Sequence, residues 1–327
     1  MKLCLFLGTP IYQLERIINS PEYKHHIIKK KRGGERHISE PRKQLKRIQK
    51  RLNYFLQAYY LCIKPEEVHG FVINPLPAGK TQCNIVANAE VHTGKKHLLN
   101  IDLKDFFSSI PARRIKKLFT SPVFNFSEQM AIALTLLTTC EAKLPTGAPT
   151  SPVLSNFVCL ELDADLRFFC RENHLQFTRY ADDLTFSSNE FIPDEAIHRI
   201  KELIRRNGFE TNEKKVYLKS SRHKQTVTGL TVNEKVNADR KRLKKIRAML
   251  HDSTKNGIGK ATQRHFNLTN PPSEEQQQLF IRRLGGYINF AGQVREKNDP
   301  MYRRMVCELQ LIKKAIQEIA SNRPARS

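Results

Sequence analysis

Phe177-Thr178-Arg179-Tyr180-Ala181-Asp182-Asp183-Leu184-Thr185-Phe186-Ser187 is the stretch on which the fold turns. Two β-prone runs, Phe177–Tyr180 and Leu184–Ser187, are joined through Ala181-Asp182-Asp183, which predicts a hairpin with two acids at its turn. A lone Asp-Asp is more often a solvated turn, so the pair carries weight only in company. That company lies upstream: His97-Leu98-Leu99-Asn100-Ile101-Asp102 has the pattern of a buried strand ending in a third carboxylate. Like charges a few ångströms apart repel, so three carboxylates brought together need a cation between them. Mg²⁺ suits the role, because it takes a few carboxylates and fills its other positions with water and substrate phosphates. A pair of such ions activates an attacking hydroxyl and stabilises the leaving oxygen in phosphoryl-type transfer.

The surrounding composition agrees. The 327 residues carry 56 Lys and Arg against 32 Asp and Glu, a formal net charge of +24. Such an excess points to a polyanionic partner, nucleic acid above all; a merely solvated basic surface is the bland alternative. Hydrophobic residues at 39% exclude global disorder, and the length suits two or three domain-sized units. No apolar run reaches the ~18 residues of a membrane span, and no helix pairs a basic face with an aromatic-rich apolar one, so no membrane partner is expected. Leu3-Cys4-Leu5-Phe6-Leu7 is too short for a signal peptide and ends at Gly8-Thr9-Pro10. Seven scattered cysteines without a C-x-x-C pair argue against a disulfide framework or zinc site and fit a reducing cytoplasm. The sequon at Asn267-Leu268-Thr269 is then coincidental.

Along the chain, residues 11–24 are predicted as a short helix, and Lys29–Ile38 as a hairpin with Gly33-Gly34 and a basic tip. Leu45, Ile48, Leu52, Phe55 and Leu56 recur at helical steps, with Arg42, Lys43, Lys46, Arg47, Lys50 and Arg51 on the outer face. Pro75, Pro77 and Gly79 mark a loop. Helices are expected over 113–119, 127–137, 151–169 and 194–207, and a strand pair around 216–218 and 227–232. Asp239 can cap a helix with Leu243, Ile246 and Leu250 inside and Arg240, Lys241, Arg242, Lys244, Lys245 and Arg247 outside. A last helix is expected over 305–319.

Tyr180-Ala181-Asp182-Asp183 resembles the polymerase hairpin of reverse transcriptases. Asn100-Ile101-Asp102-Leu103-Lys104-Asp105-Phe106-Phe107-Ser108-Ser109-Ile110 resembles their first catalytic motif, and Leu144–Pro152 with Asn156 their nucleotide-supporting loop and helix. The likeness runs from about Ile28 to Phe290. Asn88-Ala89-Glu90-Val91-His92, Val227-Thr228-Gly229 and Gly147-Ala148-Pro149-Thr150-Ser151-Pro152 are similar to elements of bacterial retron reverse transcriptases. Thr146 stands where the family commonly has Gln, and the long spacer Asn74–Cys83 has no assigned role.

The resemblance implies an α+β right-hand polymerase: fingers over 1–95, a palm over 96–237 with a fingers insertion near 112–150, and a helical thumb over 238–327. It implies that Asp102, Asp182 and Asp183 are catalytic and, with the Leu103 carbonyl, hold two Mg²⁺ ions, Mn²⁺ being able to substitute. Backbone amides from Leu103 through Lys104, Asp105 and Phe106 to Phe107 would cradle a dNTP triphosphate, with Arg36 and Gly147 also at the nucleotide. Phe107 would exclude a 2′-hydroxyl, against the plainer reading of core packing. Asn88, His92, Val227, Thr228, Gly229, Arg240, Lys241, Lys244 and Lys245 would contact RNA; for His92 the alternative is a core or helix-end histidine.

The activity so implied is RNA-directed DNA synthesis, primed from a guanosine 2′-hydroxyl of a cognate structured non-coding RNA. Its product would be branched msDNA, in bacterial phage defence with a separate effector protein. A group II intron-type enzyme is the nearest rival; with the thumb expected to run to 327, a following DNA-binding or endonuclease module or an RNase H domain is not expected. An RNA-synthesising palm enzyme conflicts with Phe107, and a non-catalytic RNA-binding module is the rival that Asp182→Ala with Asp183→Ala would separate.

Overall fold

The computed structural model describes residues 2–29, 33–73 and 83–321, in two compact units that meet in sequence at Thr228–Gly229. The cations at positions 30–32 of the basic hairpin tip, and the spacer over 74–82 with its prolines, lie outside the described residues.

The first unit opens with α1 (Lys2–Leu7) and α2 (Ile11–Asn19), the latter burying Leu14 and Ile17. Helix α2 stops short of the expected 24 because Pro21 breaks it, and Tyr23 instead starts a strand. β1 (Tyr23–Lys29) and β2 (Glu35–Pro41) pair antiparallel from Tyr23↔Pro41 to Lys29↔Glu35. α3 (Lys43–Ile63) buries Leu45, Ile48, Leu52, Leu56 and Tyr60, the three- and four-residue steps of an amphipathic helix, and ends two residues before Pro65, with extended Lys64 between. Asn84 caps α4 (Ile85–Glu90) by accepting from the Val86 and Ala87 amides.

Next come β3 (His97–Asp102), α5 (Ala112–Thr120), α6 (Glu128–Thr138), α7 (Ser151–Val158) and α8 (Leu160–Glu172). The single helix expected over 151–169 is thus two, parted at Cys159, whose ψ of −1° ends one run and starts the other. β4 (Gln176–Tyr180), β5 (Asp183–Ser188), α9 (Asp194–Arg206), a 3₁₀ turn (Glu213–Lys215), β6 (Tyr217–Ser220) and β7 (Thr226–Val227) complete the unit.

The main sheet has the order β4-β5-β3-β6, antiparallel throughout. Here the expected pairing of residues near 217 with those near 227 fails: Tyr217–Ser220 pairs with β3, covering its second edge. One hydrophobic cluster joins β3, β4 and β5 (Leu99, Ile101, Phe177, Leu184, Phe186) to α8 and α9 (Leu162, Leu166, Ile200, Ile204). Phe177 and Phe186 face each other across the hairpin with ring centroids 5.1 Å apart, a pair worth about 0.5–1.5 kcal/mol beyond its burial.

The second unit contains β8 (Leu230–Thr231) and three helices: α10 (Arg240–Phe266), α11 (Glu274–Arg295) and α12 (Pro300–Ser321). Asp239 caps α10 through the Lys241 amide, and Ser273 with Gln276 forms a capping box on α11. Leu243, Ile246 and Leu250 of α10, Phe280, Leu284 and Ile288 of α11, and Met305, Leu309 and Ile312 of α12 are buried. Gly292 lies where an added Cβ would be 2.3 Å from the Tyr302 ring, so α11 and α12 approach closely there. Among the described residues, no helix is long and apolar enough to cross a membrane.

Candidate active site

Strand pairing decides where the carboxylates stand. β3 and β5 run antiparallel in a register that places Asp102 opposite Asp183, and the Leu103 amide donates to the Asp182 carbonyl at 2.9 Å. The hairpin pairs Tyr180 with Asp183, leaving Ala181-Asp182 as a two-residue turn with Ala181 at φ 60°. All three acids therefore gather at one end of the sheet, at the place the sequence predicted.

The segment entering β6 supplies their neighbours. Lys215 Nζ donates to Asp102 Oδ1 at 2.7 Å and Asn212 Nδ2 to Oδ2 at 3.2 Å, while the Asn212 amide meets the Asp102 carbonyl at 2.8 Å. Sequence reasoning missed both residues: Lys214-Lys215 looks like any solvated basic pair until β6 is known to lie beside β3.

Electrostatics follow from this crowding. Burial, then the charge of Asp102, raises the Asp182 carboxyl above the usual range, with Lys215 and Arg36 pulling the other way. Desolvation, then the charges of Asp182 and Asp102, pushes Asp183 up to about 7. Asp183 is nonetheless solvent-exposed, so the like charges of Asp182 and Asp102 are what drive that direction. Burial works against the Lys215 ammonium, yet its hydrogen bond to Asp102 and the three carboxylates hold it above its ordinary value.

Arg36 reaches this field from β2. The Ser39 amide donates to the Thr146 carbonyl at 2.8 Å, and Gly147 (φ 116°) lies where a Cβ would be 2.9 Å from Ile38, so the hairpin rests on the 144–150 loop. Of the residues after Asp102, Lys104 is exposed and ion-paired with Glu210 at 3.1 Å, and Asp105 is exposed at φ 46°. Phe106 is buried and stacks on Phe209, whereas Phe107 is half-buried.

A buried ion pair lies beneath the turn. Arg179 and Asp163, both with side chains 0% exposed, form a two-pronged contact at 2.6 and 2.7 Å. Arg179 Nη1 also donates to Asn156 Oδ1 at 2.9 Å and to the Ala181 carbonyl at 3.2 Å. Burial works against the Arg179 charge, but Asp163 more than offsets it and holds the guanidinium protonated. This network was not legible in sequence, since nothing local to Asp163 or Arg179 names the other.

Three expected RNA contacts, Asn88, His92 and Val227, are corrected. Asn88 and His92 are 1% and 0% exposed. Both His92 ring nitrogens are taken inside the fold, Nδ1 by Ser187 at 2.7 Å and Nε2 by Thr178 at 2.8 Å, and burial pushes its pKa down to about 3. A neutral ring so enclosed ties α4 to the sheet and is not available to RNA. Val227 is buried too, Thr228 donates to the Ile85 carbonyl at 3.3 Å, and Gly229 is exposed. Arg240, Lys241, Lys244 and Lys245 lie exposed on α10, with Lys245 over the Tyr287 ring at 5.5 Å.

Among the described residues, no three His, Cys, Asp or Glu side chains stand close enough to hold a metal ion as they are. The donor chemistry nonetheless fits a hard divalent cation: three carboxylates at one end of the sheet, two with raised pKa, and Asp102 already drawn to an ammonium.

A family model described as reverse transcriptase (RNA-dependent DNA polymerase) matches residues 28–233. The chain is similar to the retron Mx65 reverse transcriptase of Myxococcus xanthus, 31% identical over 269 residues that cover 75% of this chain and 60% of that one. It is 36% identical over 170 residues to the retron Ec86 reverse transcriptase of Escherichia coli, covering 51% and 52% of the two chains. With the retron Ec83 reverse transcriptase of Escherichia coli it shares 31% identity over 242 residues, covering 70% and 74%. The chain thus spans little more than half the length of the first two relatives. Among solved structures, telomerase from Candida albicans in complex with a fragment of telomeric RNA matches with a TM-score of 0.50 at 11% identity, covering 95% of this chain and 68% of that one, a likeness of fold alone.

Proposed function

We propose, from the premise that this chain belongs to the reverse transcriptase family and within it to the retron reverse transcriptases, that it copies RNA into DNA. The observation that carries this reading is the register that sets Asp102 opposite Asp183, beside Asp182, in a chain of net charge +24. Asp102, Asp182, Asp183 and the Leu103 carbonyl would hold two divalent ions, Mg²⁺ or Mn²⁺, which when bound would supply activation of the primer hydroxyl and stabilisation of the leaving pyrophosphate.

The chain's own residues do the rest. Asn212 and Lys215 orient the Asp102 carboxylate by occupying both of its oxygens. Arg36, with the amides of Asp105, Phe106 and Phe107, meets the triphosphate of a dNTP; the Leu103 and Lys104 amides, expected there too, are already taken by the Asp182 and Glu210 carbonyls at 2.9 and 2.8 Å, and the Gly147 loop holds the hairpin that carries Arg36. Phe107, half-buried and five residues beyond Asp102, is the ring that excludes a ribose 2′-hydroxyl on this reading. Residues 1–95 serve as fingers, 96–237 as palm with 112–150 inserted, and 238–327 as thumb, whose Arg240, Lys241, Lys244 and Lys245 follow the phosphates of the hybrid duplex.

Synthesis starts from a 2′-hydroxyl of a cognate structured RNA, leaves branched msDNA, and operates in the bacterial cytoplasm in phage defence with a separate effector. The test is to purify the protein with its bound nucleic acid and treat this with RNase, then debranching enzyme. A short DNA whose mobility shifts on debranching supports the reading; RNA without attached DNA removes the priming step. If Asp182→Ala with Asp183→Ala retains DNA synthesis, the carboxylate mechanism is wrong.

A further inference from the structure

We infer that Phe71 is a positioning residue for sugar selection: its ring backs that of Phe107 and holds it in the path of a 2′-hydroxyl. The inference rests on the reading of Phe107 as the residue that excludes ribose. The ring centroids of Phe71 and Phe107 are 5.7 Å apart with an interplanar angle of 30°. Phe106 flanks Phe107 at 5.5 Å and is itself stacked on Phe209 at 5.8 Å. Phe107 thus has an aromatic neighbour fixed in the core and a second, Phe71, brought from a distant segment.

That segment is pinned at every residue. The Arg179 amide donates to the Glu67 carbonyl at 2.9 Å and the His69 amide to the Arg179 carbonyl at 3.0 Å, so residues 67–69 run alongside β4. The Gly70 carbonyl accepts from Asn156 Nδ2 at 3.0 Å, and an added Cβ at Gly70 would sit 2.4 Å from the Ala181 amide nitrogen. The Phe71 carbonyl accepts from Gln57 Nε2 at 3.0 Å. Phe71 itself has φ 60°, a backbone state that a bulky side chain adopts only where its surroundings impose it. The segment that seats the catalytic turn therefore also delivers the second ring.

A selecting side chain works through its rigidity. Without Phe71, one side of Phe107 loses its packing, other χ1 rotamers open, and the ring can swing aside for a 2′-hydroxyl. Nothing in this requires Phe71 to touch the nucleotide, so the substitution should act on ribose far more than on deoxyribose.

The experiment is primer extension by the full chain on a pre-annealed primer–template. The kcat and KM for one dNTP and the matching rNTP are compared in the unaltered chain, Phe71→Leu, Phe71→Tyr and Phe107→Ala. In Phe71→Leu the rNTP:dNTP ratio of kcat/KM should rise about tenfold, the range set by small changes of pocket fit, with dNTP kcat kept within about threefold. Phe71→Tyr, which keeps the ring, should restore the original ratio. If Phe71→Leu does not accumulate as folded protein, Phe71→Met, similar in volume to Leu but unbranched and better able to fill an irregular gap, is measured instead with the same expectation. Equal losses on both nucleotides with an unchanged ratio would make Phe71 merely structural and overturn the inference. Should Phe107→Ala relax selection while Phe71→Leu and Phe71→Met do not, this inference alone falls. Should Phe107→Ala leave the ratio unchanged, the underlying assignment of Phe107 fails with it.

Discussion

Replacing Asp163 by Asn should be among the most damaging conservative changes available in this chain. The side chains of Asp163 and Arg179 are both fully buried, and two charge-assisted hydrogen bonds of 2.6 and 2.7 Å join them. Asn has nearly the same shape, but it sets a donating amide against a guanidinium that can only donate, and leaves a buried positive charge without its counterion. Charged hydrogen bonds contribute about 1.5–3 kcal/mol each, and unpairing one half of a buried ion pair costs about 3–5 kcal/mol. For a unit of this size each kcal/mol lowers Tm by about 2–4 °C, so a drop on the order of 10 °C is expected. Thermal melting followed by circular dichroism and urea titration with an unchanged m-value would measure it. Arg179→Met combined with Asp163→Leu should recover part of the loss, because no charge then remains unpaired. A cost below about 1 kcal/mol for Asp163→Asn would refute the argument, and so would a double variant worse than the two single ones added.

Three further outcomes follow from other parts of the molecule. The folded chain holds His92 near 3 against an ordinary value of 6.5, so below pH 6.5 the unfolded state binds more protons and stability falls with pH, by about 4 kcal/mol at about pH 3.5; an acid titration of His92→Gln as steep as that of the unaltered chain would contradict this. Asp183, pushed up to about 7, should make DNA synthesis rise with pH through that value, and added Mg²⁺ should move the midpoint lower by favouring the ionised form; a flat pH–rate profile there would count against the carboxylate assignment. Lys244→Ala with Lys245→Ala should make the log Kd against log salt plot for RNA shallower by about 1.5, and an identical slope would place the phosphate contacts elsewhere.

Much of the candidate site was legible because its signals are local. The alternation around Ala181-Asp182-Asp183 and the apolar run ending at Asp102 predict strands and their ends, and strand ends are where the acids stand. What escaped depends on contacts distant in sequence. Lys215 reaches Asp102 only because β6 pairs with β3, and no property of Tyr217–Ser220 distinguishes that partner from Thr226–Val227. Residues 67–71 show no period at all, yet they lie along β4 and bring Phe71 to Phe107. His92 was noticed for its motif, but its burial between Ser187 and Thr178 depends on how α4 meets the sheet. The break at Cys159 has neither Pro nor Gly to announce it.

β3 occupies the inside of the four-stranded sheet, hydrogen-bonded to β5 on one edge and to β6 on the other. Its amides can meet solvent only when a neighbouring strand is peeled away, so they belong among the slowest to exchange with deuterium. Asp102 is the last residue of that strand and shares its protection. Heat or denaturant should therefore not melt the chemistry ahead of the scaffold: as the first unit is heated, the divalent-ion binding proposed for it and its sheet signal should vanish in a single step.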